Sequence, residues 1–498
     1  MSRPQSVPEL LLRAVGRHPE AEALVEGRQR WCYRTLWEKV AAAAKLLEAY
    51  GLGAGERVLL FKENSLAYVV AYYAVLLAGG VVVPVNAQAK ARELLTALSH
   101  SEANFLVADL EHSAVTFAQA AAPQVRFIDC GQLLEAPPAS TDDFPKLTAN
   151  QSAAIVYTSG TTGRPKGVLL SHGNLVSNTL AVAGYLRLTA ADRIVNLLPF
   201  QFAYGNSVLH THLAVGGCVV IENNFVYPHR VLALMEAEGA TGFAGVPATY
   251  SLLLTRTRLE TFSLPALRYL TQAGGPMPTP HIQQLRQHLP HAAFYVMYGQ
   301  TEATARLCYL PPERLDEKLG SVGRPIEGVE ISIRDDNGEP LLLGERGEVW
   351  ARGAGIMQGY WRDPVGTGAT LVDGWLRTGD LGYLDADGFL YLEGRVSEMI
   401  KSGAYRIAPQ EIEEVLIELE GVAEATAIGV PDPILGQTIK VFIIPVPGAG
   451  VDERKIRAHC RRHLAPYKQP KWVQFAAELP RTRTGKVQRH RLRMDVTD

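Results

Sequence analysis

The chain has 498 residues, of which 49 are basic and 51 acidic, for a net charge of −2. That length divides into two or more domains, and the charge balance gives no general case for nucleic acid or an anionic membrane as partner. The cysteines, Cys32, Cys130, Cys218, Cys308 and Cys460, are scattered without metal-ligand spacing, which suits a reducing cytoplasm.

Met1 to Glu9 holds no secretory apolar core, so no leader is expected. The apolar pattern then predicts a strand at Arg57–Phe61, a helix at Ser65–Leu77 and a strand at Val81–Val85. A helix at Ala89–Ser99 and a strand at Ala103–Val107 follow. Strand–helix alternation argues a parallel sheet covered by helices. Leu66 to Asn86 is uncharged, but Gly79-Gly80 and Pro84 break it, so it reads as a helix plus a buried strand and not as a membrane span. Ala136 to Asn150, rich in Pro, Ser, Thr and Asp, reads as a surface linker.

The linker leads into Tyr157-Thr158-Ser159-Gly160-Thr161-Thr162-Gly163-Arg164-Pro165-Lys166-Gly167, between the apolar runs Ala153–Val156 and Val168–Leu170. Its spacing is not that of a Walker loop. Glycines, hydroxyls and cations together make either a phosphate cradle or a polar hairpin.

Beyond it, predicted helices (175–186, 231–238, 280–288) alternate with predicted strands (193–197, 218–221, 241–246, 293–297). From about Glu327 to Leu392 short strands separated by Asp-Asn-Gly and Asp-Ala-Asp-Gly turns suggest an antiparallel, barrel-like subdomain. After Gly394-Arg395 a small α+β unit follows. Its helix opens at Pro409, with Ile412, Val415, Leu416 and Leu419 on one face. Strands at 425–430 and 440–445, a basic helix at 452–464 and a strand at 472–475 complete it.

Other segments carry chemistry-bearing residues. Tyr298-Gly299-Gln300-Thr301-Glu302 follows the apolar run Phe294–Met297. A hydroxyl and a carboxylate at a strand's carboxyl end suit a nucleotide phosphate and its Mg²⁺; a solvated glutamate is the plainer alternative. Gln272 to Met277 is a strand-to-helix turn, or a flat glycine lining for a base and an acyl chain. Trp375 to Asp380 holds an Asp in a turn, as a ribose acceptor or as a cap. Gly394 to Gly403 and the basic Pro480 to Arg489 complete the set. His210, His212, Cys460 and His463 lack further ligands at metal spacing.

Together and in this order, these segments resemble the signature motifs of the acyl-adenylate-forming superfamily. It comprises acyl-CoA synthetases, the adenylation domains of nonribosomal peptide synthetases and beetle luciferases. The resemblance covers nearly the whole chain. It implies an α/β fold, with a large N-terminal domain (residues 1–394) of two doubly wound sheets plus a β-barrel-like subdomain, and a small mobile C-terminal α+β lid (residues 395–498). It implies ATP and Mg²⁺. Thr158, Ser159, Gly160, Thr161, Thr162, Gly163 and Lys166 would hold phosphates. Gly274, Gly275, Tyr298 and Gly299 would border the nucleotide, Thr301 the α-phosphate, and Asp380 with Arg395 the ribose. Glu302 would bind the metal and Lys486 would be the catalytic lysine. Ser397 takes the hinge position, where relatives commonly carry Asp or Lys, and Lys401 to Gly403 matches the acceptor tunnel.

Within the resemblance, Leu198 to Asn206 enters the acyl pocket, lined by Phe202, Ala203, Tyr204, Ala273 and Gly274. Phe202 stands where many CoA ligases have histidine, and Ala203 where amino-acid-activating relatives often have Asp. An ammonium buried beside Ala203 would lack a counter-charge, at a cost of several kcal/mol, or about the penalty of an unpaired buried ion. The expected substrate is a small carboxylic acid without an α-amino group: aromatic, cyclic or medium-chain. The expected acceptor is a thiol, of CoA or of carrier-protein phosphopantetheine. The alternatives are an amine, giving an amide, and a non-catalytic nucleotide binder.

Overall fold

The computed structural model describes residues 3–140, 143–158, 166–395, 398–402, 405–432, 435–464, 466–481 and 487–494. Among them, strands form sheets of fourteen, seven and five members. In the seven-stranded sheet, Val81–Val85, Arg57–Phe61, Phe105–Ala108 and Arg126–Asp129 run parallel. Ser152–Thr158 pairs parallel to Val81–Val85 and antiparallel to Lys166–Ser171, which carries Gly359–Tyr360 at its edge.

The uncharged helix Leu66–Leu77 shows why a membrane-like stretch belongs in a core. Ser65 caps it, accepting from Tyr68 N at 3.1 Å, and Gly79 ends it at φ 81°. All its residues are buried, so no polar face is needed. Each large apolar side chain contributes about 1.5–3 kcal/mol by leaving water.

The fourteen-stranded sheet is parallel through Glu22–Glu26, Cys218–Ile221, Arg193–Asn196, Gly242–Gly245, Tyr269–Gln272 and Ala293–Tyr298. It then turns antiparallel through Cys308–Leu310, Ser321–Pro325, Leu390–Arg395, Trp375–Leu384, Gly347–Gly353 and Val329–Arg334. The antiparallel subdomain expected from the turn spacing is thus bonded to the parallel sheet, and the α/β class is observed. The small sheet starts at Ile400–Ser402 and is built on Val422–Asp432, Gly436–Pro445 and Trp472–Phe475. Ile412 and Leu416 of the helix Pro409–Ile417 are fully buried in its core.

Candidate active site

The strand Ala293–Tyr298 runs in the middle of the fourteen-stranded sheet. Past its end, Leu307 N donates back to Tyr298 O at 2.8 Å, closing residues 299–306 into a tight return. At Gly299 a Cβ would meet Ala305 O at 2.1 Å and Arg306 Cα at 2.8 Å, so only glycine fits. Met357 N donates to Glu302 O at 2.9 Å and Thr304 Oγ1 to Gly355 O at 2.7 Å, pinning the return from the other side.

These contacts bring in Tyr360, which sequence reasoning does not single out. Its hydroxyl donates to Glu302 Oε1 at 2.9 Å, and Lys166 Nζ lies 4.5 Å from its ring centroid. Burial and the Glu302 charge push the Tyr360 phenol up, so it remains a donor. Thr158 pairs with Lys166 across the antiparallel ladder, placing both ends of the phosphate-loop candidate side by side. Ser159, Gly160, Thr161, Thr162 and Gly163 lie outside the described residues, as do Ser397, Gly403, Lys486 and the Lys401 side chain.

Asp380 corrects the sequence expectation of a turn. It lies in the strand Trp375–Leu384, where the ladder slips between Glu348↔Leu381 and Trp350↔Arg377. Thr378, Gly379 and Asp380 form a bulge, with Gly379 at φ 71°. Bulges re-aim side chains, and here Asp380 is only 7% exposed. Tyr298 OH donates to its Oδ2 at 2.5 Å, and Arg395 Nε forms an ion pair with its Oδ1 at 2.9 Å. The Asp380 charge raises the Arg395 pKa, while burial, then Asp380, raises that of Tyr298. Each carboxylate oxygen keeps a further lone pair for an incoming hydroxyl.

Nearby, Gln272 Nε2 donates to Gly275 O at 2.7 Å, folding Gly274 to φ 93° in an exposed glycine turn. Phe202 occupies the N-cap position of the helix Ala203–Val215. Tyr204 OH donates to Thr271 O at 2.9 Å, and the Arg306 guanidinium lies 4.2 Å from its ring centroid. A narrow, partly open cavity is lined by Ala203, Thr304, Asn178, Asn206 and His210. An open basic groove is lined by Lys90, Arg92, His100, Phe117 and Arg362.

Among the described residues no cluster of His, Cys, Asp and Glu could hold a metal by itself. Glu302, with the neighbouring Thr301 hydroxyl, offers few protein oxygens. That donor set fits Mg²⁺, which completes its octahedron with phosphate oxygens and water.

Residues 11–361 match the model of the AMP-binding enzyme family, and residues 411–486 that of the AMP-binding enzyme C-terminal domain. Feruloyl-CoA synthase of Amycolatopsis sp is 35% identical over 94% of this chain and 94% of its own. The crystal structure of ATP-bound MatB from Rhodopseudomonas palustris superposes with a TM-score of 0.92, 30% identity and coverage of 99% of both chains. O-succinylbenzoate CoA synthetase from Bacillus subtilis, solved with its acyl-adenylate intermediate, gives a TM-score of 0.88 at 29% identity, covering 100% of this chain and 99% of its own. The same enzyme solved with ATP and magnesium ion also gives 0.88, at 30% identity, covering 98% of this chain and 99% of its own.

Proposed function

The chain belongs to the AMP-binding enzyme family, and on that basis we propose that it activates a carboxylic acid lacking an α-amino group and passes it to the thiol of CoA. It is an ATP-dependent, AMP-forming acid–thiol ligase that works through an acyl-AMP intermediate. ATP with Mg²⁺ and CoA are its co-substrates. The observation that carries the residue assignments is the gathering of Lys166, Tyr360 and Glu302, and of Tyr298, Asp380 and Arg395, around the return that follows the strand Ala293–Tyr298.

Two domains, residues 1–394 and 395–498, close on the substrates. The last strand of the large sheet ends at Arg395 and the small sheet begins at Ile400, in keeping with that division. Asp380 takes the ribose hydroxyls on its remaining lone pairs. Gly274, Gly275, Tyr298 and Gly299 border the adenine, and the loop from Thr158 to Lys166 grips the β- and γ-phosphates. Glu302, oriented by Tyr360, would hold Mg²⁺, which screens phosphate charge when bound. A carboxylate oxygen of the acid attacks the α-phosphorus, and pyrophosphate leaves. Lys486 and the Thr301 hydroxyl stabilise the charge that develops on the reacting oxygens. The lid then turns at Ser397, the thiolate reaches the acyl carbon along Lys401–Gly403, and AMP leaves. Cations of the groove at Lys90 and Arg92 suit the phosphates of CoA. No helix among the described residues is long and apolar enough to cross a membrane, and the enzyme acts in the cytoplasm.

The test is ATP-dependent product formation with a panel of acids, analysed by mass, with CoA or amino acids as acceptors. Acyl-CoA and AMP are expected. Activation of proteinogenic amino acids alone, or amides in place of thioesters, would overturn the reading.

A further inference from the structure

The narrow, partly open cavity beside Ala203 lies between the helices His172–Tyr185 and Ala203–Val215. Its walls include Asn178, Asn206, Ser207, His210 and Thr304. Asn178, Asn206 and His210 are 3%, 4% and 3% exposed. Yet Asn178 Oδ1, Asn206 Oδ1 and His210 Nε2 have no hydrogen-bond partner. A buried polar atom left unpaired costs more than an ordinary hydrogen bond contributes. Orphans on neighbouring walls of one cavity therefore mark a site whose partner comes from outside the chain.

The chemistry of that partner can be read from the walls. Asn178 Nδ2 donates to Arg306 O at 2.9 Å and Asn206 Nδ2 to the Tyr72 hydroxyl at 3.0 Å. Both amides therefore turn their oxygens, which can only accept, to the vacant side. No Lys, Arg, Asp or Glu lines the cavity, so neither a carboxylate nor an ammonium would find a counter-charge there. Burial drives His210 down to about 3, keeping its ring neutral. The free space is narrow, enough for about one water-sized group.

We infer that the substrate acid carries, at the end away from its reacting carboxylate, a neutral hydrogen-bond donor such as a hydroxyl or amide N–H, which seats against Asn178, Asn206 and His210. This rests on the acid–CoA ligase reading and narrows its substrate class. Acids ending in bare hydrocarbon leave the walls unpaired, and acids ending in a charge are excluded.

The experiment measures kcat/KM for CoA-dependent pyrophosphate release with matched acids: 4-hydroxycinnamate against cinnamate, 6-hydroxyhexanoate against hexanoate, and adipate and 6-aminohexanoate as charged ends. On at least one scaffold the hydroxylated acid should exceed its parent by about 100-fold or more, as for sites built to pair a hydroxyl. His210→Leu should collapse that ratio while the parent acid is still turned over, and His210→Gln should retain most of it. Equal or better use of both parent acids would mean that a resident water fills the cavity, and would overturn the inference. Preference for adipate or 6-aminohexanoate would overturn it too. Neither result touches the ligase reading, which fails if no acid supports pyrophosphate release, if only proteinogenic amino acids are activated, or if amides replace thioesters.

Discussion

The Tyr360 hydroxyl donates to Glu302 at 2.9 Å across 58 residues of sequence. The two come together because Gly359–Tyr360 pairs with Lys166–Ser171 at the edge of one sheet, while Glu302 follows a central strand of another. The contact therefore ties the two sheets at the point assigned to the metal.

Tyr360→Phe tests that tie. Losing one hydrogen bond costs about 0.5–1.5 kcal/mol, or about three- to tenfold in affinity. The expected result is a rise of that size in the Mg²⁺ concentration giving half-maximal pyrophosphate release, with little change in the KM for the acid. An unchanged Mg²⁺ requirement would make the contact purely structural.

Asp380→Asn removes the charge that Arg395 and Tyr298 share. A hydrogen bond to a charged group contributes about 1.5–3 kcal/mol, so the KM for ATP should rise at least about tenfold. Fluorescent-nucleotide titration of the variant checks this. A KM for ATP equal to that of the parent enzyme would leave Asp380 as a structural link between strands.

Lys486→Ala separates the two half-reactions. Pyrophosphate release should fall by about 10²–10³-fold, the usual loss when one preorganised charge is taken from developing negative charge. Thioester formation from synthetic acyl-AMP and CoA should survive. Equal damage to both steps would place Lys486 outside the adenylation chemistry.

Stability should also depend on pH. Burial lowers His172 to about 4, His210 to about 3 and His212 to about 4. In the unfolded chain each returns to about 6.5. Below that value the unfolded state binds more protons than the folded one. Stability is thus complete above about pH 6.5 and falls as pH drops toward 4, by up to ~1.4 kcal/mol per pH unit for each histidine. Urea midpoints at about pH 5 and about pH 7 measure the slope. His212 donates Nδ1–H to Val208 O and accepts from Tyr269 OH. His212→Gln should reduce the slope by one proton's share, and an unaltered slope would remove it from the account.

The local pattern was a good guide wherever one element carries its own signal. Arg57–Phe61, Val81–Val85 and Cys218–Ile221 are strands with the bounds their apolar runs suggest, and Asp452 caps the basic helix, accepting from Lys455 N at 2.8 Å. Partnership is another matter. Nothing in Glu22–Glu26 announces that Leu24 pairs with Val219, because a ladder between distant segments leaves no periodicity in either. Gly379 looks like a turn residue and serves as one inside a bulge, which differs from a turn only through its partner strand. Tyr360 was illegible for the same reason. Asn178 and His210 read as ordinary members of buried helices, and their unpaired atoms emerge only once the walls of the cavity are assembled.

The Asp380–Arg395 pair is also the terminal rung between its two strands. The next strand in the chain, Ile400–Ser402, belongs to the small sheet. The strand from which the chain passes to the small sheet thus ends on the arginine that clasps Asp380. On the roles proposed for Asp380 and the lid, a ribose seated on Asp380 would load the arginine from which the chain passes to the small sheet, so nucleotide occupancy and freedom of the pivot would be one mechanical variable.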